Sequence, residues 1–171
     1  AAGVAFAPED RKEQGVILEM AIRDNIALPG LHCMARTGFI DDRAVTAQAE
    51  SMQQTLSIRT PSVLKAAGQL SGGNQQKVVL AKWLALKPSV FLLDEPTRGV
   101  DVGSKREIYE VIESLASSGA AVLVISSDLE EVLRLSDRVL VMHEGRPAGE
   151  LPNTSLSEES IMSLATGRPA A

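Results

Sequence analysis

The spacing of hydrophobic residues changes along this chain, and the changes divide it into helical and strand segments. Apolar residues recur every three or four positions over 41–58 and 71–86, which is the spacing of helices with one buried face. Short unbroken apolar runs stand at 3–7, 90–93 and 121–125, a pattern typical of buried strands in a parallel sheet. The order of these segments predicts an α/β fold in which a helical subdomain is inserted into a parallel-sheet core.

The same reasoning predicts the remaining elements. The alternation of strand, helix and strand after residue 89 is a βαβ unit, which requires a right-handed crossover between parallel strands. Glu144-Gly145 is the expected turn of a terminal hairpin. The further predicted helices cover 21–28, 104–117, 128–135 and 157–165, and the predicted hairpin strands cover 138–142 and 147–151.

These elements suggest four parts of the chain. Residues 1–20 hold the end of a core strand and the loop after it. Residues 21–88 form the helical subdomain, which ends in its strongest helix, and residues 89–151 form the α/β core. Residues 152–171 are expected to be a C-terminal helix and a tail.

Composition narrows the possible classes of protein. Among 171 residues, 17 are Lys or Arg and 22 are Asp or Glu, and the resulting net charge of −5 argues against a nucleic-acid partner. An apolar content of 44% excludes a disordered chain, and 3% aromatic residues imply an aliphatic core. The single cysteine, Cys33, excludes an internal disulfide and favours a reducing, cytoplasmic compartment. No apolar run reaches the roughly 18 residues of a membrane span.

An acidic pair, Asp94 and Glu95, follows the apolar run at 90–93. Ligands of parallel α/β sheets bind at the carboxyl ends of the strands, where this pair is expected to lie. One carboxylate can hold Mg²⁺ together with phosphate oxygens and water, and its neighbour can position an attacking water. An ordinary solvated turn would show the same two residues, so the pair alone leaves both interpretations open.

Ser71, Gly72 and Gly73 stand at the start of the helix predicted at 71–86. Serine is a common N-cap, and two glycines leave the backbone N–H groups of the first turn uncovered. These N–H groups and the helix dipole together favour phosphate binding. A plain helix N-terminus after a flexible loop is the alternative.

The two motifs in this order resemble the nucleotide-binding domain of ABC transporters, the similarity extending from about Gly3 to Leu151. The resemblance implies a P-loop NTPase fold, ATP and Mg²⁺ as ligands, Asp94 as the metal ligand and Glu95 as the catalytic carboxylate. It also places Ser71 in the signature motif, Asp101 in the D-loop and Ser127 in the switch loop. The nucleotide-binding residues that it implies are Glu9, Ser71, Gly72, Gly73, Asn74, Gln75, Asp101 and Ser127.

Four shorter stretches narrow the resemblance to the second half of the tandem ATP-binding subunits of ribose- and galactose-type importers. They are Pro8–Lys12, Gly72–Lys77, Arg98–Gly103 and Met142–Gly145. The implied function is ATP hydrolysis that powers monosaccharide import from the inner face of the bacterial plasma membrane. The implied partners are a first nucleotide-binding domain in the same chain, a second ATP-binding subunit, membrane permease subunits and a periplasmic sugar-binding protein.

The sequence also departs from the ABC pattern. It contains no G-x-x-x-x-G-K-[ST] loop, so we expect a fragment that begins after the phosphate-binding loop and is inactive alone. Glu9 and Ser127 stand where most ABC domains have glutamine and histidine. These changes leave open a second function: a non-hydrolysing half that dimerises and completes the ATP site of its partner domain. An ABC-like protein without transport is a third hypothesis, which the acidic charge disfavours.

Overall fold

The computed structural model describes residues 3–36 and 38–167, which form two compact units. The first unit ends at Ile125 and the second begins at Ser126. The tail expected after the last helix falls on residues 168–171 and so lies outside the described residues.

The first unit contains the sheet and the helical segment. Its elements in chain order are β1 (Val4–Ala7), α1 (Ile22–Ala27), β2 (Ala35–Arg36), β3 (Phe39–Ile40), α2 (Asp42–Thr55), α3 (Gly72–Leu84), β4 (Val90–Asp94), α4 (Val102–Ser117) and β5 (Ala121–Ile125). A π-helical turn at Arg11–Gly15 and 3₁₀ turns at Leu28–Cys33 and Ala67–Gln69 lie between them. The predicted elements of this unit are confirmed to within three residues at each end, and the short β2–β3 hairpin was not predicted.

The three longer strands form a parallel sheet in the order β1-β4-β5. In its register Ala7 pairs with Leu93, and Asp94 pairs with Ile125. The carboxyl ends of the strands therefore meet at one edge of the sheet. This register brings the segment after Ala7 beside the segment after Asp94.

The sheet is covered unequally on its two faces. Ala5, Ala7, Phe91 and Leu93 are buried on one face, where β1 contacts α3 and β5 contacts α4. On the other face, about half of the surface of four apolar side chains remains exposed. They are Val4, Phe6, Leu123 and Ile125. The predictions that strands 3–7 and 121–125 are buried were therefore wrong, because an unbroken apolar run does not tell whether both faces of a strand are covered.

Helix α3 is the best-buried helix of the first unit, and it fixes the loop that follows β1. The ammonium group of Lys82 donates a 2.6 Å hydrogen bond to the carbonyl oxygen of Gly15. Burial lowers the pKa of Lys82, because the charged form loses hydration. A β-carbon at Gly15 would lie 2.8 Å from Cγ2 of Val79, so only glycine lets the loop approach the helix this closely.

The second unit is a hairpin with two helices. Its elements are α5 (Leu129–Leu135), β6 (Arg138–His143), β7 (Arg146–Pro152) and α6 (Glu158–Ala165), with a 3₁₀ turn at Asn153–Ser155. Strands β6 and β7 are antiparallel, as predicted, and α6 contacts both of them. In the described part of the chain, no helix is both long enough and apolar enough to cross a membrane.

Candidate functional site

The carboxyl end of β4 places the two candidate acids in a strained turn. Asp94 is the last residue of the strand, and Glu95 follows with a φ of 46°. The backbone N–H of Glu95 donates a 2.8 Å hydrogen bond to the carbonyl oxygen of Ile125 in β5. A left-handed conformation costs a non-glycine residue about 1–3 kcal/mol and is common at functional sites. The sheet therefore holds Glu95 in a conformation that a free turn would not favour.

The loop after β1 is bonded to the turn after β4. The carboxylate of Glu9 forms an ion pair with Arg98. The guanidinium group of Arg11 donates to the carbonyl oxygens of Arg98, at 2.6 Å, and of Gly99, at 3.1 Å. Because guanidinium is a planar fork of donors, Arg11 fixes both carbonyl groups at once. Glu9 is therefore brought to the edge that carries Asp94, and its carboxylate is engaged by Arg98.

The start of α3 packs against the same turn. A β-carbon at Gly72 would lie 2.8 Å from Nη2 of Arg11 and 3.2 Å from the carbonyl oxygen of Gly99. Arg11 thus contacts both the glycine that opens α3 and the turn that follows β4. The structure brings the predicted phosphate-binding helix and the predicted acidic turn into one cluster.

Ser71 occupies the N-cap position of α3, as predicted, but its hydroxyl accepts no hydrogen bond from a backbone N–H of the first turn. Instead, the hydroxyl oxygen accepts a 2.9 Å hydrogen bond from the side-chain amide of Asn74. The amide oxygen of Asn74 accepts a 2.8 Å hydrogen bond from the backbone N–H of Arg59. The expectation that the Ser71 side chain caps the helix was therefore wrong, since its hydroxyl bonds to the side-chain amide of Asn74 and not to a backbone N–H.

Gly73 and Gln75 lie on the inner side of α3. A β-carbon at Gly73 would lie 2.4 Å from Cβ of Ser104 in α4. The side chain of Gln75 is 6% exposed and donates a 3.1 Å hydrogen bond to the carbonyl oxygen of Leu70. Among the candidate residues 71–75, only Ser71 is exposed, and Gly72 and Asn74 are partly exposed.

The other two candidates lie at helix starts. Asp101 is the N-cap of α4, and its carboxylate accepts a 3.0 Å hydrogen bond from the backbone N–H of Ser104. That bond is the main reason why the pKa of Asp101 lies below its ordinary value. Ser127 precedes Asp128, the N-cap of α5, in the second unit. It is therefore not among the residues that the first unit brings together.

A charged cluster between α3 and α4, formed by Arg59, Lys77 and Glu107, was not predicted from the sequence. Glu107 in α4 accepts hydrogen bonds from Nζ of Lys77, at 2.7 Å, and from Nη2 of Arg59, at 2.6 Å. The Lys77 side chain is only 2% exposed, and its hydrogen bond holds the pKa of Glu107 below the ordinary value. The sequence signal that could have predicted this cluster is the position of Lys77, which lies on the same helical face as the apolar residues Leu80 and Ala81. A charge at such a position needs a partner.

Asp94 is the candidate for holding a metal ion. Its side chain is neither fully buried nor fully exposed. The described residues contain no group of three or more His, Cys, Asp and Glu side chains that could hold a metal ion. One carboxylate at a strand end fits Mg²⁺, which takes most of its ligands from phosphate and water. It does not fit a metal such as structural zinc, which needs four protein ligands.

Comparison with known proteins identifies the family. A family model described as ABC transporter matches residues 3–98, which is more than half of the chain. This chain belongs to the ABC transporter family. The family resemblance and the fold class predicted from the sequence are both confirmed.

Curated relatives align with the whole or nearly the whole length of this chain. It is 51% identical over 171 residues to a ribose import ATP-binding protein of Streptomyces avermitilis, covering 100% of this chain and 34% of that protein. It is 48% identical over 166 residues to a ribose import ATP-binding protein of Lactococcus lactis, covering 97% of this chain and 34% of the relative. The chain thus spans about a third of the length of the curated relatives that it matches.

A solved structure shows the same fold. A dimeric ATP-binding cassette in a post-hydrolysis state, bound to ADP and Pi, superposes with a TM-score of 0.74. It is 23% identical, and the match covers 88% of this chain and 62% of that one. At this identity the likeness establishes the fold, and the roles of individual residues have to be argued from the contacts described above.

Proposed function

We propose that this chain is the second nucleotide-binding half of the ATP-binding subunit of a bacterial monosaccharide importer, in which ATP binding and hydrolysis power transport. The observation that carries the proposal is the cluster around Arg11, in which the acidic turn after β4 meets the glycine start of α3. An acidic strand end and an uncovered helix start in one cluster suit a magnesium-bound nucleotide. The identity of about half with ribose import ATP-binding proteins supports the choice of a sugar importer.

In this proposal the acidic turn serves the nucleotide of its own domain. Asp94 would hold Mg²⁺, which would supply charge neutralisation for the phosphates, and Glu95 would orient the attacking water and accept its proton. The strained backbone of Glu95 matches this role, because the turn is held by the hydrogen bond from its N–H group to β5. Asp101, the N-cap of α4, is a further nucleotide-binding residue in this proposal.

The start of α3 serves the nucleotide held by the opposite domain. Ser71 is exposed, and the backbone N–H groups of the first turn of α3 favour an anion. The proposed nucleotide-contacting group in this part of the chain consists of Ser71, Gly72, Gly73, Asn74 and Gln75. The proposed partners are a first nucleotide-binding domain, a second ATP-binding subunit, permease subunits and a periplasmic sugar-binding protein. The ATP-binding subunit itself lies at the inner face of the plasma membrane.

The second candidate function is a half that does not hydrolyse ATP but completes the site of its partner. Its support is the ion pair between Glu9 and Arg98, which engages the carboxylate at the position where most ABC domains have glutamine. Ser127 at the switch position supports it as well, since a serine hydroxyl has a shorter reach than histidine. In this version the start of α3 keeps its role, and only the acidic turn becomes structural.

Substitution of Glu95 in the full-length protein, assembled with permease and sugar-binding protein, tests the proposal. Loss of a positioned acid–base group costs about 10²–10⁴-fold in rate. We expect Glu95→Gln to lower the steady-state ATPase rate by an intermediate factor, about 10- to 100-fold, because the switch position of the sequence carries serine where most ABC domains have histidine. Glu50→Gln, at an exposed position of α2, is the matched control and should leave the rate unchanged.

The size of the loss separates the two candidate functions. A loss smaller than about tenfold for Glu95→Gln would favour the non-hydrolysing half, and a loss near the top of the range would exclude it. If Glu95→Gln and Ser71→Ala both left the ATPase rate of the assembled transporter unchanged, neither function would stand.

A further inference from the structure

The orientation of the Asn74 side chain is fixed by a donor that cannot change its role. A backbone N–H can only donate, so the Asn74 atom that lies 2.8 Å from the N–H of Arg59 is the amide oxygen. The other end of the amide, which lies 2.9 Å from the hydroxyl oxygen of Ser71, is therefore the NH₂ group. This assignment follows from the hydrogen-bond pattern and does not depend on distinguishing nitrogen from oxygen at the two ends.

The assignment determines what the hydroxyl group of Ser71 can do. Because Asn74 donates to its oxygen, the hydroxyl proton cannot also point at Asn74. Ser71 is exposed, and among the described residues its hydroxyl accepts from Asn74 and donates to no other group. The hydroxyl proton of Ser71 can therefore be donated to a ligand on the solvent side. Because a phosphate oxygen can only accept a hydrogen bond, a hydroxyl group that already accepts from Asn74 is oriented to donate to a phosphate.

The loop that holds Asn74 is itself anchored by charge. Arg59 donates from Nη2 to Glu107, and the same carboxylate accepts from the buried ammonium group of Lys77. Lys77 also donates to the carbonyl oxygen of Ser57 at 3.2 Å. These contacts join the segment 57–59 to α3 and α4, so that the backbone N–H of Arg59 stays aligned with Asn74.

We infer that Asn74 is a positioning residue that presents the hydroxyl of Ser71 as a hydrogen-bond donor to a nucleotide phosphate, and that Arg59 and Glu107 hold it in place. The inference rests on the proposed function, in which Ser71 faces the nucleotide of the opposite domain. It changes the role of Asn74, which acts through Ser71 and does not itself need to contact the nucleotide.

A double-mutant cycle in the full-length protein, assembled with permease and sugar-binding protein, tests this inference through kcat for ATP. Removing a preorganised donor to the reacting phosphate should make Ser71→Ala about 10²-fold slower. Asn74→Ala removes only the orienting hydrogen bond and should cost about fivefold. In the Ser71→Ala background, Asn74→Ala should cost nothing further, because the group on which it acts is gone. Thermal unfolding of each variant checks that it is folded.

Asn74→Asp gives the sharper readout. A carboxylate still accepts from Arg59 but has no donor for Ser71, so it draws the hydroxyl proton inward. Its loss of kcat should approach that of Ser71→Ala and exceed that of Asn74→Ala. Glu107→Gln, which weakens the anchor, should lower kcat about twofold, as expected for one weakened hydrogen bond. Glu110→Gln, on the exposed side of α4, should leave kcat unchanged.

The outcomes distinguish a failed inference from a failed function. If Ser71→Ala is slow but Asn74→Ala or Asn74→Asp costs as much in the Ser71→Ala background as in the wild type, Asn74 acts directly and the inference is overturned. If Ser71→Ala keeps the wild-type kcat, the proposed role of the signature serine falls, and the inference falls with it. If the wild-type assembly itself does not hydrolyse ATP, the proposed function fails.

Discussion

Gly73→Ala tests how closely α3 and α4 approach each other. A β-carbon at Gly73 would lie 2.4 Å from Cβ and 2.5 Å from Oγ of Ser104, well inside van der Waals contact. The Cβ of Ser104 is attached directly to the backbone of α4, so no rotation of a side chain can relieve this contact. One of the two helices has to move.

The expected cost follows from two opposing effects. Adding a carbon to a well-packed helix contact costs about 1–3 kcal/mol. Replacing glycine by alanine in a helix stabilises it by up to about 1 kcal/mol, and by less in the first turn. We therefore expect Gly73→Ala to lower the free energy of unfolding by about 1–2 kcal/mol, as the difference between these contributions.

Urea unfolding of the chain measures this cost, and Ser104→Gly identifies its source. Ser104→Gly removes both atoms that the new methyl group would meet, so Gly73→Ala should cost much less in the Ser104→Gly background than in the wild type. The matched control is Gly103→Ala in the first turn of α4, because a β-carbon there comes no closer than 3.4 Å to Oδ1 of Asp101. A loss below about 0.5 kcal/mol for Gly73→Ala, the usual range of uninvolved surface sites, would refute the reasoning.

Three further predictions concern acid stability, a buried amide and the isolated chain. Lys77 lowers the pKa of Glu107 in the folded state, so the stability that this carboxylate contributes is present above its unfolded pKa and is lost as the pH falls through the folded value. Urea titrations below about pH 4.3 should therefore show a weaker pH dependence for Glu107→Gln than for the wild type, and equal slopes would contradict this. Asn25 is fully buried, and its side chain bonds to both backbone groups of Ile17 and to the carbonyl oxygens of Met20 and Ala21. Asn25→Ala should cost about 2–3 kcal/mol in urea unfolding, whereas a cost below about 1 kcal/mol would show that water replaces these bonds. The 171-residue chain has no phosphate-binding loop motif and should bind Mg·ATP poorly in calorimetry, so tight micromolar binding would contradict that expectation.

Elements with a repeating pattern could be predicted from the sequence, and very short elements could not. Helices α2 and α4 show apolar residues at helical spacing over three or more turns, which is enough to place both. The strands of the β2–β3 hairpin have two residues each, and a period of two cannot be recognised in two residues. The Glu144-Gly145 turn was predictable because turn residues separate two apolar runs.

Contacts between distant segments were the other part that the sequence could not provide. The position of Asp94 and Glu95 at a strand end could be predicted, because the two acids directly follow the apolar run at 90–93. The bonds from Arg11 to Arg98 and Gly99 join residues 87 and 88 positions apart, and no local pattern signals such a pairing. The same holds for Arg59 and Glu107, which are 48 positions apart. The contacts of Arg11 fix the turn after β4 against the loop after β1, and the contact of Arg59 fixes the segment before α3 against α4. None of these contacts involves Asp94 or Glu95 directly.

Packing alone accounts for three of the five residues in the signature stretch 71–75. Gly72 lacks a β-carbon where one would meet Arg11, and Gly73 lacks one where it would meet Ser104. Gln75 turns inward to the carbonyl oxygen of Leu70. Neither glycine needs a nucleotide to explain the absence of a side chain, although the backbone N–H groups of both remain suited to one. The buried amide oxygen of Gln75 has no hydrogen-bond partner among the described residues. Ser71 is the exposed side chain of this stretch, and Asn74 bonds to it. The double-mutant cycle between these two residues is therefore the decisive test of how the start of α3 works.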